Sequence, residues 1–507
     1  MIKKFNIPKI MALFFTIAII ITGKCFASEE YDRYIIKYKD GFSPVFLSST
    51  YDNSNEIVKY DIKQNILVTK SEQFAESAEK SQYVEYVEPD YIVTLDDYTV
   101  TDAYYNRTEK NDYNWPQKMT NCKSAWDKGL FGMNVRIGVI DSGIAEKSNK
   151  LTEEIYNLPD NYSDFFPNIN GGFNFYNNSN DLKDNMGHGT AIAQIIASQN
   201  NNDFFIGTAP RAKIVPLKIF ELSTVYTSDI ASVINSVIDN PEYKCDILNM
   251  SFTTNNNQTL ENAINRAYQN GIIMIAAVGN YKDGDEIPRE QIMYPAGYDA
   301  IIGVGSVDKD KKVSKFSHTN SSVFCVAPGE GVYAYSYYKN SQTVNWKLST
   351  MNGTSFSAPQ VAGLAALLKG INPNLTGDEF KEIIINTAVP LGENDYDTTY
   401  GYGLIDVNAA IEYMLNQTST FVSPIYNDYL DTSITVTNNT DTAQDYVSVW
   451  SSDSTDGIKL NRYTVSPFSS VTIPYSFDKT YLKHMLFSGT NSIKPLYKDI
   501  TAERITE

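Results

Sequence analysis

The sequence predicts an α/β fold: a parallel sheet flanked by helices, preceded by a small α+β unit and followed by a β-sandwich-like domain. Three observations carry this. Short apolar runs of strand length alternate with helical stripes along the middle of the chain. A compact β…β-α-β pattern precedes them, and only half-buried strands between polar turns follow. With 507 residues, the chain can hold a large core and accessory units.

The elements follow in order. Lys3, Lys4 and Lys9 precede the apolar run Ile10 to Ile21, and Cys25-Phe26-Ala27 closes the pattern of a secretory leader. That run falls short of the roughly 20 apolar residues a bilayer span needs. Lys24 spoils a lipidation motif at Cys25, so cleavage is expected after Ala27 and the leader is residues 1–27. In residues 28–97, Arg33 to Lys39 and Ile66 to Thr69 read as strands, Ser71 to Lys80 as a helix and Tyr83 to Val93 as a final strand. The polar stretch Asp96 to Asn114 reads as an exposed junction.

Residues 98–418 form the body. Val135 to Ile140 is an almost wholly apolar strand, as expected for burial on both faces, and it ends in Asp141-Ser142-Gly143. Ala191 to Ala197 is a buried helix with His188 at its start. Cys245 to Met250 is a strand. Leu260, Ala263, Ile264, Ala267 and Tyr268 make a helical stripe ended by Gly271, and Ile272 to Val278 is the next strand. Val361 to Leu368 continues as a helix from a small, Gly-containing turn. Thr376 caps a later helix, with Glu379 completing a capping box and Leu375 able to staple Phe380. In residues 419–507, Ser433 to Thr437, Tyr446 to Trp450 and Val471 to Ile473 alternate as half-buried strands. Scaffolding, substrate presentation and cell-wall contact are all compatible with that last domain.

A net charge of −18 argues against nucleic acid and anionic membrane surfaces as partners. It is compatible with bound cations, structural calcium among them, although no Asp/Asn-rich loop matches a compact calcium motif. Of the four cysteines, Cys25 falls in the leader, leaving Cys122, Cys245 and Cys325. That odd, small number excludes a disulfide scaffold, and Cys245 reads most simply as a small buried residue.

The chemistry is concentrated in three segments. Asn352-Gly353-Thr354-Ser355-Phe356-Ser357-Ala358-Pro359 runs into an apolar helix, placing Ser355 near a helix N-terminus where developing negative charge is stabilised. Acyl transfer through a serine needs such a place, because its tetrahedral intermediate carries an oxyanion. Asp141 sits at the carboxyl end of its strand, the edge where open α/β sheets place sites. His188, one of three histidines, is flanked by Gly187 and Gly189. Taken singly, each has a plainer reading as a helix start, a strand end or a satisfied core histidine. Together, Asp, His and Ser stand in one of the known chain orders of a serine hydrolase triad.

These segments resemble the subtilisin-like serine proteases. Asp141-Ser142-Gly143, Gly187-His188-Gly189-Thr190 and Gly353-Thr354-Ser355 are similar to the three motifs that carry the family's triad. Ala276-Ala277-Val278-Gly279-Asn280 resembles the strand that ends in the oxyanion-hole asparagine. Gly207-Thr208-Ala209-Pro210 and Gly401 to Ala409 resemble the turn after the His helix and the closing segment. The resemblance covers roughly residues 30 to 415 and implies a subtilisin-like sheet. It also implies catalytic residues Asp141, His188 and Ser355, Asn280 in the oxyanion hole, and chemistry without a metal or organic cofactor. Residues 28–97, with Tyr86-Val87-Glu88-Pro89-Asp90 as their last strand, resemble the family's inhibitor-like propeptide, an intramolecular partner later removed.

Departures from the family pattern bear on packing and specificity. Ala191-Ile192-Ala193-Gln194 stands where His-Val-Ala-Gly is usual, and Gln360 stands where a His follows the proline after the serine motif. Ser251, Phe252 and Thr253 occupy a segment that normally reads Ser-x-Gly, and the resemblance makes it one wall of the first specificity pocket. The resemblance also implies substrate-binding roles for Ala277, Val278 and Gly279, and for Met293, which stands near the base where the family often has a small residue. A shallow pocket is expected, taking small to medium apolar side chains. Of the residues near the junction, Leu95 fits it best, and Tyr98 requires it to open.

The sequence therefore points to a secreted, self-processing serine endopeptidase that acts on protein or peptide substrates, extracellular or held at the cell surface, with no stable membrane span once mature. Two other readings compete with it. A catalytically silent binding protein of the same family would be marked by a lost triad residue, and Asp141, His188, Ser355 and Asn280 are all present. An esterase or amidase would favour a Gly-x-Ser-x-Gly elbow and the order Ser, Asp, His, and neither occurs.

Overall fold

The computed structural model describes residues 33–39, 56–94, 99–101, 112–145, 156–157, 168–198 and 206–417 except 223, 283, 286, 341 and 342, together with strands between 420 and 503. The predicted leader, Leu95, Tyr98 and most of the polar junction lie outside the described residues. The chain divides into two units, Met1–Tyr91 and Ile92–Glu507.

In the first unit, β1 (Tyr34–Tyr38), β2 (Ile57–Asp61), β3 (Ile66–Thr69) and β4 (Val84–Pro89) form an antiparallel sheet in the order β2-β3-β1-β4. The helix Glu72–Glu79 starts at Ser71, whose hydroxyl accepts from the Phe74 N–H, satisfying one of the helix's otherwise unpaired donors. Its Phe74 and Ala78 close a small core with Ile36, Tyr38, Leu67 and Val84. Two details differ from the sequence reading. β2, Ile-Val-Lys-Tyr-Asp, is not among the expected strands: its apolar residues do not alternate, and Val58 is exposed. The strand expected over Tyr83 to Val93 is broken, because β1 runs out: Tyr34 pairs Pro89 and the Asp90 N–H donates to the Arg33 carbonyl. The chain resumes as β5 (Ile92–Thr94), in the second unit.

The second unit continues with β6 (Thr99–Thr101), β7 (Arg136–Asp141), β8 (Tyr156–Asn157), β9 (Asn168–Ile169), β10 (Phe173–Asn174), β11 (Lys213–Lys218), β12 (Thr224–Tyr226), β13 (Ile247–Met250), β14 (Ile273–Ala277), β15 (Ile301–Val307) and β16 (Cys325–Pro328). Strands β10-β11-β7-β13-β14-β15-β16 lie in that order with every pair parallel, and β9 runs beside β11. Both faces are covered, so the strands are near-continuous apolar runs. Ile137 and Val139 pack with the helices His188–Ala197 and Ala358–Ile371. Ile140 turns the other way, toward the helices Thr227–Asp239 and Gln258–Gln269.

The chain places β11 on one side of β7 and β13 on the other, which makes the carboxyl ends of β7 and β13 a topological switch point. A long antiparallel hairpin follows the sheet: β17 (Glu330–Asn340) and β18 (Thr343–Asn352), the latter ending just before Gly353-Thr354-Ser355. The edge of β18 pairs antiparallel with β6 and parallel with β8. The predicted capping box at Thr376 and Glu379 is formed, with both reciprocal bonds present. Cys122, Cys245 and Cys325 are buried thiols. Burial pushes the Cys122 thiol up to about 12 despite hydrogen bonds with Thr120 and Thr208, so it stays protonated and unreactive.

Beyond the helix Val407–Gln417, strands Thr420–Asn427, Leu430–Asn438 and Ser469–Pro474 form one antiparallel sheet. Gln444–Ser452, Ile458–Val465, Tyr481–Ser488, Lys494–Pro495 and Ile500–Glu503 form a second.

Candidate active site

Asp141, His188 and Ser355 all lie at the carboxyl edge of the sheet and are all wholly buried. Asp141 closes β7. Its Oδ1 accepts from the Ser142 N–H at 2.7 Å and lies 2.8 Å from His188 Nδ1, with Oδ2 at 3.0 Å. A carboxylate only accepts, so Nδ1 carries the hydrogen and Nε2 of a neutral imidazole is the acceptor. This contact requires glycine next door. A Cβ at Gly189 would stand 2.4 Å from the Gly143 carbonyl and 3.1 Å from Asp141 Oδ1, so any side chain would push the helix start away.

A second buried carboxylate, Asp184, fixes this helix start. Its Oδ1 accepts from Met186 N at 2.9 Å, Gly187 N at 2.7 Å and Ser142 Oγ at 2.9 Å. Its Oδ2 accepts from Thr190 N at 2.9 Å and Thr190 Oγ1 at 2.6 Å. Asp184 thus ties the loop after β7 to the His188 helix. Sequence reasoning gave it no role, although an Asp shortly before a Gly-His-Gly turn is a recognisable signal for satisfying exposed N–H groups.

Ser355 lies in a short 3₁₀ turn, Thr354–Phe356, just before the helix Ala358–Ile371. The Ser251 hydroxyl donates to the Ser355 carbonyl at 3.0 Å, and Ser355 Oγ donates weakly to the Ser251 carbonyl at 3.4 Å. The His188 ring stands 5.6 Å from that of Phe356, the residue after the serine. Asn280 completes the group. Its Oδ1 accepts from Thr354 N at 2.9 Å and Thr354 Oγ1 at 3.0 Å, which fixes the amide orientation. Its Nδ2 is buried and has no partner among the described residues. It stands 3.2 Å from where a Cβ on Gly353 would be, beside the turn that holds Ser355. Leaving a buried amide donor unmet costs about 1–3 kcal/mol, so the arrangement suits an acceptor that arrives with a ligand.

The two departures near the site act as packing ties. Gln194 Oε1 accepts from Tyr335 N at 2.8 Å, linking the His188 helix to β17. Gln360 Nε2 donates to the Phe356 carbonyl at 3.1 Å and to the Pro328 carbonyl, linking the Ser355 turn to β16.

Of the expected pocket residues, Thr253 and Met293 meet at Gly279, while Phe252 and Val278 are buried in the core cluster on the side of the helices Thr227–Asp239 and Gln258–Gln269. Ser251, Phe252 and Thr253 follow β13, and Ala277 ends β14 before Val278 and Gly279, so the two segments flank Ser355. Met293 is buried against Gly279. The sequence reading missed His318, which is 3% exposed and also reaches Gly279. It belongs to no motif, and only the fold brings it here. Burial pushes its imidazole down, with the Arg289 charge adding to that, against carbonyl hydrogen bonds and Asp285.

β5 runs antiparallel to β12, and Thr254 Oγ1 donates to the Ile92 carbonyl at 3.3 Å. The backbone ladder of β5 thus forms on β12, and the segment after β13 contributes a side-chain bond. Val93 is buried in the same cluster as Phe220 and Phe252. β6 pairs with the end of β18, Thr99 opposite Asn352. Among the described residues, no group of three His, Cys, Asp or Glu side chains could hold a metal ion.

The profile of the Subtilase family matches residues 132–403. Subtilisin DY of Bacillus licheniformis is 32% identical over 286 residues, 56% of this chain and 93% of that protein. The minor extracellular protease Epr of Bacillus subtilis (strain 168) is 30% identical over 347 residues, 68% of this chain but only about half, 49%, of that protein's length. Among solved structures, fervidolysin from Fervidobacterium pennivorans, a keratinolytic enzyme related to subtilisin, superposes with a TM-score of 0.62. At 20% identity, covering 91% of this chain and 71% of that one, it bears on the fold alone.

Proposed function

Because this chain belongs to the subtilase family of serine endopeptidases, we propose that it is a secreted, self-processing peptidase acting through Ser355, His188 and Asp141. The observation that carries this is the buried Asn280 amide, with an unmet donor beside the Ser355 turn, in a site that also holds the Asp141–His188 pair. In the reaction, Ser355 Oγ attacks the peptide carbonyl while His188 Nε2 takes its proton. Asp141 holds the imidazole tautomer and stabilises the imidazolium, and Asn280 Nδ2 with the Ser355 N–H binds the oxyanion. The peptide bond breaks as His188 passes the proton to the leaving amine. Water then enters by the same route and frees the acyl group. No step calls on a metal or organic cofactor.

Residues 1–27 serve in this reading as the leader, 28–97 as the propeptide, 98–418 as the catalytic domain and 419–507 as a β-rich appendage. Secretion is supported by the leader pattern and by the extracellular relative. No helix among the described residues is long and apolar enough to cross a membrane.

A covalent serine-directed reagent is expected to label Ser355 and stop turnover. Activity is expected to rise with pH as His188 loses its proton, since only the neutral ring can accept from Ser355. Mass spectrometry of the labelled peptide with a pH–rate profile checks both, and immediate, metal-reversible inhibition by a chelator would point to a different enzyme class. Asn280→Ala is expected to lower turnover by roughly 10²–10³ with a smaller effect on KM. That magnitude is the one known for subtilisin, borrowed for this chain.

A further inference from the structure

The slot between the segments after β13 and β14 has a floor that no family motif describes. We propose that His318 is a specificity-determining residue. With Thr253 and Met293, it closes the slot beside Ser355 so that small side chains are favoured over bulky ones before the scissile bond. The inference rests on the peptidase reading above and deepens it.

The geometry starts at Gly279, whose φ of +103° and missing Cβ open the wall directly before Asn280. A methyl group placed there would meet Thr253 Cγ2 at 3.1 Å, His318 Cδ2 at 3.2 Å and Met293 Cγ at 3.4 Å. The three side chains thus converge on one methyl-sized space, each tighter than or at ordinary contact. Their backbones cannot easily withdraw. Thr254 and Tyr294 exchange backbone bonds, N–H to O, at 2.7 and 3.0 Å, which pins the Thr253 and Met293 segments together. The His318 N–H donates to the Gly279 carbonyl at 3.2 Å, and its Nδ1 lies 3.2 Å from the Gln291 carbonyl. Arg289 Nε donates to the Ser317 carbonyl at 2.7 Å, and Asn320 Nδ2 donates to the Gln291 carbonyl at 2.7 Å. His318 is therefore braced from its backbone, its ring and both neighbouring loops.

A side chain held at Ser355 has to enter this slot, because the segments on either side are the ones that bond to Ser355 and Thr354. A rigid ring at the floor excludes bulk more firmly than Met293, whose unbranched chain can swing aside. Removing the ring should therefore relax size selection more than trimming the methionine does.

The test uses the processed enzyme and quenched peptides identical except for Ala, Val, Leu or Phe before the scissile bond. Wild type is expected to prefer Ala. His318→Ser is expected to raise the Phe-to-Ala ratio of kcat/KM by about tenfold or more, within the range one or more methylenes of pocket volume command. His318→Asn, which keeps a donor for the Gln291 carbonyl, guards against a folding defect and should shift the ratio the same way. A wild-type preference for Phe overturns the proposal without any variant. So does an unchanged ratio in active His318→Ser while Thr253→Gly or Met293→Gly shifts it. Turnover that survives Ser355→Ala, or no turnover by wild type, instead brings down the peptidase reading and this inference with it.

Discussion

Ser355→Ala and His188→Ala are each expected to cut peptide turnover by on the order of 10⁶, and Asp141→Ala by about 10⁴; combining all three is expected to cost little more. The magnitudes are those known for subtilisin and are borrowed here. The non-additivity has a structural reason in this chain. Asp141 touches the reaction only through His188 Nδ1, at 2.8 Å, so its contribution vanishes once the ring is gone. In the proposed reaction His188 in turn acts by moving the proton of the Ser355 hydroxyl, so its own contribution vanishes once that hydroxyl is gone. What remains in the triple variant is the Asn280 donor and the binding slot, which do not depend on the proton relay. Turnover of one peptide by the single and triple variants checks this. Strong activity left in Ser355→Ala sinks the assignment, and losses that multiply would mean that the three side chains act separately.

Much of this site was legible before any coordinates, and the reasons are local. Asp141 and Asn280 stand at or just beyond the ends of apolar parallel strands, and a buried strand announces itself by composition. His188 and Ser355 stand at helix starts marked by glycine and by a switch to helical periodicity. Thr376 and Glu379 form a capping box readable within one helical turn. What escaped was non-local. Asp184 works by accepting hydrogen bonds from both sides of the Asp141–His188 contact, a role invisible until β7 and the helix are side by side. His318 reaches Gly279 only because its loop pairs with the segment after β14, which no spacing encodes. The break at Asp90 depends on where β1 ends, not on the sequence of the breaking strand. The β17–β18 hairpin also went unread, its strands being too polar and tyrosine-rich to declare a face.

The wild-type precursor is expected to shorten itself, and the Ser355→Ala precursor to keep its full length apart from leader removal. The expectation rests on two short ladders. β5 is held by β12 and by Thr254, whose segment follows Ser251 to Thr253. β6 is held by Thr350 to Asn352, the residues leading directly into Gly353-Thr354-Ser355. Antiparallel ladders of this kind are how a sheet edge holds an extended peptide substrate, through main-chain bonds that any sequence can make. The chain between the two ladders is Leu95-Asp96-Asp97-Tyr98, so the cut is expected between Thr94 and Thr99, where the polar junction begins. Cleavage there would release residues 28 to the cut, whose own four-stranded sheet and helix give them a core of their own. Mass spectrometry and terminal sequencing of both secreted forms decide the matter. A new N-terminus far outside the interval would mean that the two ladders do not present the scissile bond. The same new N-terminus on the Ser355→Ala protein would mean that another protease makes the cut, and the self-processing reading would be wrong even if the enzyme is active on other substrates.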